Sequence, residues 1–230
     1  LIQASFTENP DFMSPIHPDY AQLRADGRDL NSKLFKELNK DEHKIAARQL
    51  GAMKKNQMMF DSYEQFDQFT DFCINDFQDI HGHTIVSRYL SRHADTINAT
   101  EEKILNALLS SNTSLYRIVS RNIDSSTVTM EDLLNGGELT ITDRGFSLSP
   151  NIVDYVMFTR ILSYEDGLNF TSGAPMIFPK STQALVLSEY WRLLKKRAST
   201  SIPSRRYAAF YKLHDKYGYK AVSYDETAGA

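Results

Sequence analysis

Asp76, Asp79, His81 and His83 lie close together in the chain, and carboxylate with imidazole is a donor set that suits zinc, manganese or iron. A metal held there would activate water, so this stretch is the candidate for metal-assisted hydrolysis, with His93 as a further ligand. His-x-His puts both rings on one side only where the backbone is extended, and Gly82 between them favours a turn at least as well. On the turn reading the four residues are a polar loop after a helix. No metal motif of accepted spacing accompanies them.

Cys73 is a possible nucleophile, with a histidine as its base. It stands between Phe69 and Phe77 on an apolar stripe, however, where burial makes a thiol inert, so it is expected in the core. Glu64, Asp67 and Asp71 share one helical surface. They could hold a cation or a basic partner, and a solvated face is the expectation. No Gly-x-Ser-x-Gly elbow, phosphate-cradling glycine loop or dinucleotide fingerprint occurs, and no cofactor is expected.

The C-terminal part carries a different chemistry. Residues 180–220 hold 10 Lys+Arg against 2 Asp+Glu, whereas residues 1–179 hold 16 against 25. In a helix from Thr182, the side chains of Val186, Leu187, Tyr190, Trp191, Leu193 and Leu194 are expected to point one way. Arg192, Lys195 and Lys196 point away from them. In a last helix, Tyr207, Phe210, Leu213 and Tyr217 form the apolar face, and Arg205, Lys212 and Lys216 share the other. These cations make a candidate phosphate-binding patch, with Tyr207 and Tyr211 as rings for base stacking. The bland alternative is a solvated face, or an internal match to the acidic front. The pI near 6.1 speaks against a dedicated nucleic-acid binder.

The elements that must position these groups follow from hydrophobic spacing. Residues 1–17 read as an extended arm. Residues 18–112 read as helical, with Leu30, Leu34 and Leu38 at four-residue spacing, Gly27 as a break and Asp41 as a cap ahead of inward-facing Ile45 and Leu50. Asp61 to Ile80 reads as one amphipathic helix with Tyr63, Phe66, Phe69, Cys73, Ile74, Phe77 and Ile80 on its buried side. A short helix follows Gly82. Asn98 with Glu101 reads as a capping box for a helix ending at Leu109. The period then changes. Leu115 to Val119, Thr127 to Met130 and Leu139 to Thr142 read as strands, with Asn135-Gly136-Gly137 as a hairpin turn. Ile152 to Leu162 is apolar on both alternating faces, as a buried central strand should be. Leu168 to Ser172 follows the Asp166-Gly167 turn. Residues 113–179 are therefore expected to form an antiparallel β-rich region, strongly bent or closed into a small barrel. Two basic helices over residues 180–218 complete an α+β chain, with Pro203 in the first turn of the second.

Composition sets the outer bounds. The chain has 230 residues, 41% hydrophobic and 24% charged, which is ample for a core and unlike a disordered protein. No apolar run approaches the ~20 residues of a membrane span. Leu1 to Pro10 lack the order of a secretory signal, and the single cysteine fits a reducing, cytoplasmic setting. The Asn-x-Ser/Thr triplets at Asn98, Asn112 and Asn169 are then read as chance.

Residues 101–178 resemble a segment of uncharacterised bacterial proteins that end in a zinc-binding SEC-C motif. The likeness lies in Leu115-Tyr116 with Ile118-Val119, in Val128-Thr129-Met130-Glu131-Asp132-Leu133-Leu134 with Gly136, in Ser147-Leu148-Ser149 and Asp154, and in Arg160-Ile161-Leu162 ahead of Gly173. These are mostly packing and turn residues. The chain lacks the cysteine-rich tail, so the resemblance implies no metal ligand here and brings no activity.

Two functions are expected from this. The first is a non-enzymatic interaction or regulatory protein that meets a polyanion or a protein partner on the basic C-terminal helices. The alternative is a metal-assisted hydrolase with a dispersed site at Asp76, Asp79, His81 and His83.

Overall fold

The computed structural model describes residues 17–195 and 200–219. The proposed arm lies almost wholly outside them, as does Lys196.

Helix α1 (Tyr20–Glu37) runs unbroken through Gly27, contrary to expectation, because its buried residues Tyr20, Leu23, Leu30 and Leu34 keep one helical stripe. Helix α2 (Lys40–Leu50) is capped by Asn39, not Asp41. The Asn39 side chain accepts from the Asp41 and Glu42 amides, and Glu42 reaches back to the Asn39 amide. Ile45 faces solvent there, against the expectation, and Leu50 is buried. Strands β1 (Met53–Lys54) and β2 (Gln57–Met58) form a small hairpin whose turn residues Lys55 and Asn56 both have positive φ.

Helix α3 (Tyr63–Asn75) is shorter than expected. Its end is set by Phe72, whose carbonyl takes the amides of both Asp76 and Phe77. Phe69, Cys73, Ile74 and Phe77 are buried as expected, but Tyr63 and Ile80 are almost fully exposed and Phe66 is partly so. Asp71, expected on the wet face, is buried, since this helix is covered on more than one side. Helix α4 (Ile85–His93) and helix α5 (Ala99–Ser110) follow, the latter with the expected Asn98–Glu101 capping box.

The middle of the chain is an antiparallel sheet. Its strands are β3 (Asn112–Asn122), β4 (Thr127–Asp132), β5 (Glu138–Thr142), β6 (Tyr155–Ser163), β7 (Asn169–Thr171) and β8 (Met176–Pro179). The order is β5-β4-β3-β6-β7, with β8 also on β6. Gly136 and Gly137 both take positive φ in the β4–β5 turn, as that hairpin requires. A bulge between Ile118 and Ser120 sharpens the bend of β3. The sheet curls until β7 nears β5, where the Asn169 side chain donates to the Thr140 carbonyl at 3.3 Å. Asp143 caps a short helix, α6 (Arg144–Leu148).

Strand β6 is buried on both sides. Met157 and Ile161 join Tyr116, Ile118, Val128, Met130 and Ile141 inside the curl. Val156, Phe158 and Leu162 face the larger core shared with the helices. Helix α7 (Gln183–Leu194) and helix α8 (Ile202–Tyr217) close that core. Phe210 of α8 lies stacked between Phe158, at 4.1 Å, and Tyr190, at 4.8 Å. The fold is thus α+β, with a nearly closed antiparallel sheet between helical front and helical end.

Candidate functional site

Strand β6 alternates inward and outward, so Arg160 falls on the helix-facing side between Phe158 and Leu162. Only 3% of it is exposed. A buried guanidinium needs acceptors, and two elements supply them. Its Nη2 pairs with Asp76 just past α3, its Nε lies 3.5 Å from Asp71 on α3, and its Nη1 donates to Ser111 Oγ after α5 at 3.1 Å. The Ser204 hydroxyl of α8 donates to the Asp76 carbonyl. Arg206 of α8 donates to the carbonyl of Thr113, the residue paired with Arg160 across β3 and β6, at 2.6 Å. Asp76, Arg160 and Arg206 line a pocket of about 230 Å3 with Asn75, Thr84 and Asn112.

Asp71, Asp76 and Arg160 carry one net negative charge when all are ionised. Burial raises the Asp76 carboxyl to about 6, with the Arg160 charge pulling the other way. The cluster is a clamp with a protonatable member. It ties α3, α5 and α8 to β6. Among the described residues no imidazole belongs to it.

The four expected metal ligands are not brought together. Asp76 turns inward to Arg160. Asp79 stays in the loop, where its Oδ1 accepts from the amides of His81 and His83 at 2.8 and 3.0 Å, and Gly82 takes φ +81°. This is the turn, and His81 and His83 are exposed with ring centres 6.4 Å apart. Burial works upward on Asp79, but the two amides hold it below the ordinary carboxylate range. Its Oδ2 is 3.7 Å from Arg88. His93 pairs instead with Glu37 at 3.5 Å and lies against Tyr89. Among the described residues no three His, Cys, Asp or Glu converge on a metal position. Cys73 is buried, and burial pushes its thiol far above the ordinary range.

The basic end is divided. Tyr207 and Tyr211 are only 2% and 8% exposed, so neither is a stacking platform. The Tyr207 hydroxyl instead donates to the Gln68 carbonyl at 2.8 Å, fixing α8 to α3. Arg205 reaches back to the Leu194 carbonyl. Lys212 is exposed and lines a pocket with Lys54, Asp61 and Asp215, where Lys54 lies 3.6 Å from Asp61. Arg192 pairs with Glu189 on its own helix. Lys195 is exposed, and the Lys216 ammonium lies 4.7 Å over the Tyr217 ring. Trp191, expected inward, is 49% exposed, while Val186 and Tyr190 fill the inner side of α7.

The sequence reading placed Asp71 on the acidic face and Arg160 among packing residues, and it did not foresee that they meet, nor that Ser111, Ser204 and Arg206 join them. One signal was present for Arg160: a cation inside an otherwise apolar strand is costly unless it is paired.

A family model whose description is "Family of unknown function (DUF7986)" matches residues 17–224, so it takes in the helical front and the basic end as well as the sheet. No curated protein and no solved structure matches.

Proposed function

The chain belongs to this family of unknown function (DUF7986), and on that premise we propose that it is a non-enzymatic interaction protein that receives an anionic polymer on the outer side of α7 and the end of α8. The observation that carries this is Trp191. It stands half-exposed one helical turn from Lys195, on a helix whose other side is buried. An exposed indole with a lysine one turn away suits stacked bases or a sulfated or phosphorylated chain. Lys216 over Tyr217 extends the same chemistry on α8. The Arg192–Glu189 pair is exposed, so a stronger anion can displace the carboxylate at little cost. The hydrolase alternative loses its geometric support because Asp76 is held by Arg160.

Trp191 is the only tryptophan, so its fluorescence reports directly. Titration with oligothymidylate and with heparin at low salt should change the emission saturably. Response to both marks a general polyanion site, and response to the oligonucleotide alone marks base stacking. Flat emission with both probes, and no binding by an independent method, would contradict the proposal.

A further inference from the structure

A second pocket, of about 370 Å3, lies between α1, α3 and β7, within the range of small-molecule sites. It shares no residue with the α7 surface, so a ligand there is independent of polyanion binding. Its floor is apolar, formed by Leu23, Ile74, Ile104, Leu108, Leu162 and Phe170. Its charged residues are Arg24, Arg28, Asp67 and Asp71. Two of these are already answered. Arg24 lies 3.7 Å from Asp143 and over the rings of Tyr20 and Phe170, and Asp71 lies against Arg160. The other two are not: among the described residues neither Arg28 on α1 nor Asp67 on α3 makes an ion pair. A cation and an anion, each without an ion pair among the described residues, therefore border the same apolar hollow.

Two further observations point to an occupant. Gly27 lines the pocket inside α1, in ordinary helical conformation, and a Cβ there would meet nothing within 4 Å. Neither backbone strain nor close packing calls for a glycine, which is a poor helix former. Its bareness leaves room at the pocket wall. Asn31 Oδ1 and the Tyr164 hydroxyl, both on residues of the wall, are also buried without a hydrogen-bond partner.

We propose that this pocket binds a small zwitterion, an ammonium and a carboxylate on an apolar body the size of a free leucine or phenylalanine. Arg28 takes the carboxylate, Asp67 takes the ammonium, and the side chain enters the apolar floor. Arg28 and Asp67 both stand exposed at the rim of the pocket, so a monoanion or monocation engages only one of them and leaves the other to water.

The test is calorimetric titration of the whole chain with L-leucine and L-phenylalanine, alongside 3-phenylpropionate and 3-phenylpropylamine. At least one amino acid should bind, and both singly charged analogues should bind about tenfold or more weakly. Arg28→Gln and Asp67→Asn should each weaken the amino acid by a similar factor. Gly27→Leu should abolish binding while leaving the melting temperature unchanged or raised, which separates a blocked pocket from a lost fold. Absence of binding by both amino acids, or equal binding of a singly charged analogue with no effect of its matching variant, would overturn the proposal.

Discussion

Arg160 governs the residue scale. It is the cation facing two carboxylates in the core, and its partners come from α3 and the end of α5. Removing it strands both charges, so Arg160→Met should cost about 3–5 kcal/mol at neutral pH by urea denaturation. Asp76→Asn should cost much less, because it leaves one anion for one cation. The pH dependence has a definite sign. Burial raises Asp76 to about 6, so the folded chain holds that proton more tightly than the unfolded chain does. Its contribution is complete below the ordinary carboxylate range and is lost as pH rises through about 6, by on the order of 2–3 kcal/mol. In Asp76→Asn that fall between about pH 4 and 6 should disappear. A fall of unchanged size would assign it to other groups. Arg160 was visible in the sequence as a charge in an apolar strand, but its partners were not. Asp71 sits where a one-sided helix is wet, and only knowledge that α3 is covered on further sides moves it inward.

At the scale of elements, α8 is the fastening. Phe210 stacks on Phe158 of β6 and Tyr190 of α7, and Tyr207 bonds back to α3. Phe210→Ala should therefore cost about 3–5 kcal/mol, well above the effect of an exposed α8 substitution such as Lys216→Ala, in denaturant titrations. The apolar face of this helix could be read from spacing, because an amphipathic helix with one wet side shows its period, and Pro203 marked its first turn. The strands of the sheet were legible for the same reason, from a period of two and Gly136-Gly137. Other features were not, among them the β1–β2 hairpin in a stretch read as helical. Strand β8 is only four residues long and bounded by proline, too short for a period to register. Helix α6 is five residues held by the Asp143 cap. Gly27 looked like a break, yet the leucine stripe on either side outweighs the cost of one glycine.

On the scale of the whole molecule, one apolar core runs from Tyr20 to Leu213 and takes in β3, β6 and β8. Helical front and curled sheet should then unfold together, with Trp191 fluorescence and far-ultraviolet dichroism tracing the same denaturant transition. Two separate transitions would mean that the sheet stands alone. The basic end touches the acidic front, with the His214 ring 3.8 Å from Glu64 and Lys212 lining one pocket with Asp61. The functional account depends on the positive charge carried by Lys195 and Lys216 near Trp191. It is tested most directly by the salt dependence of oligothymidylate affinity, read from Trp191 emission. With two or three cations on phosphate, log Kd should rise with log salt at a slope of about 1.4–2.1, and Lys195→Glu should lower that slope by at least about 0.7. An affinity indifferent to salt, or a slope unaltered by Lys195→Glu, would contradict the account.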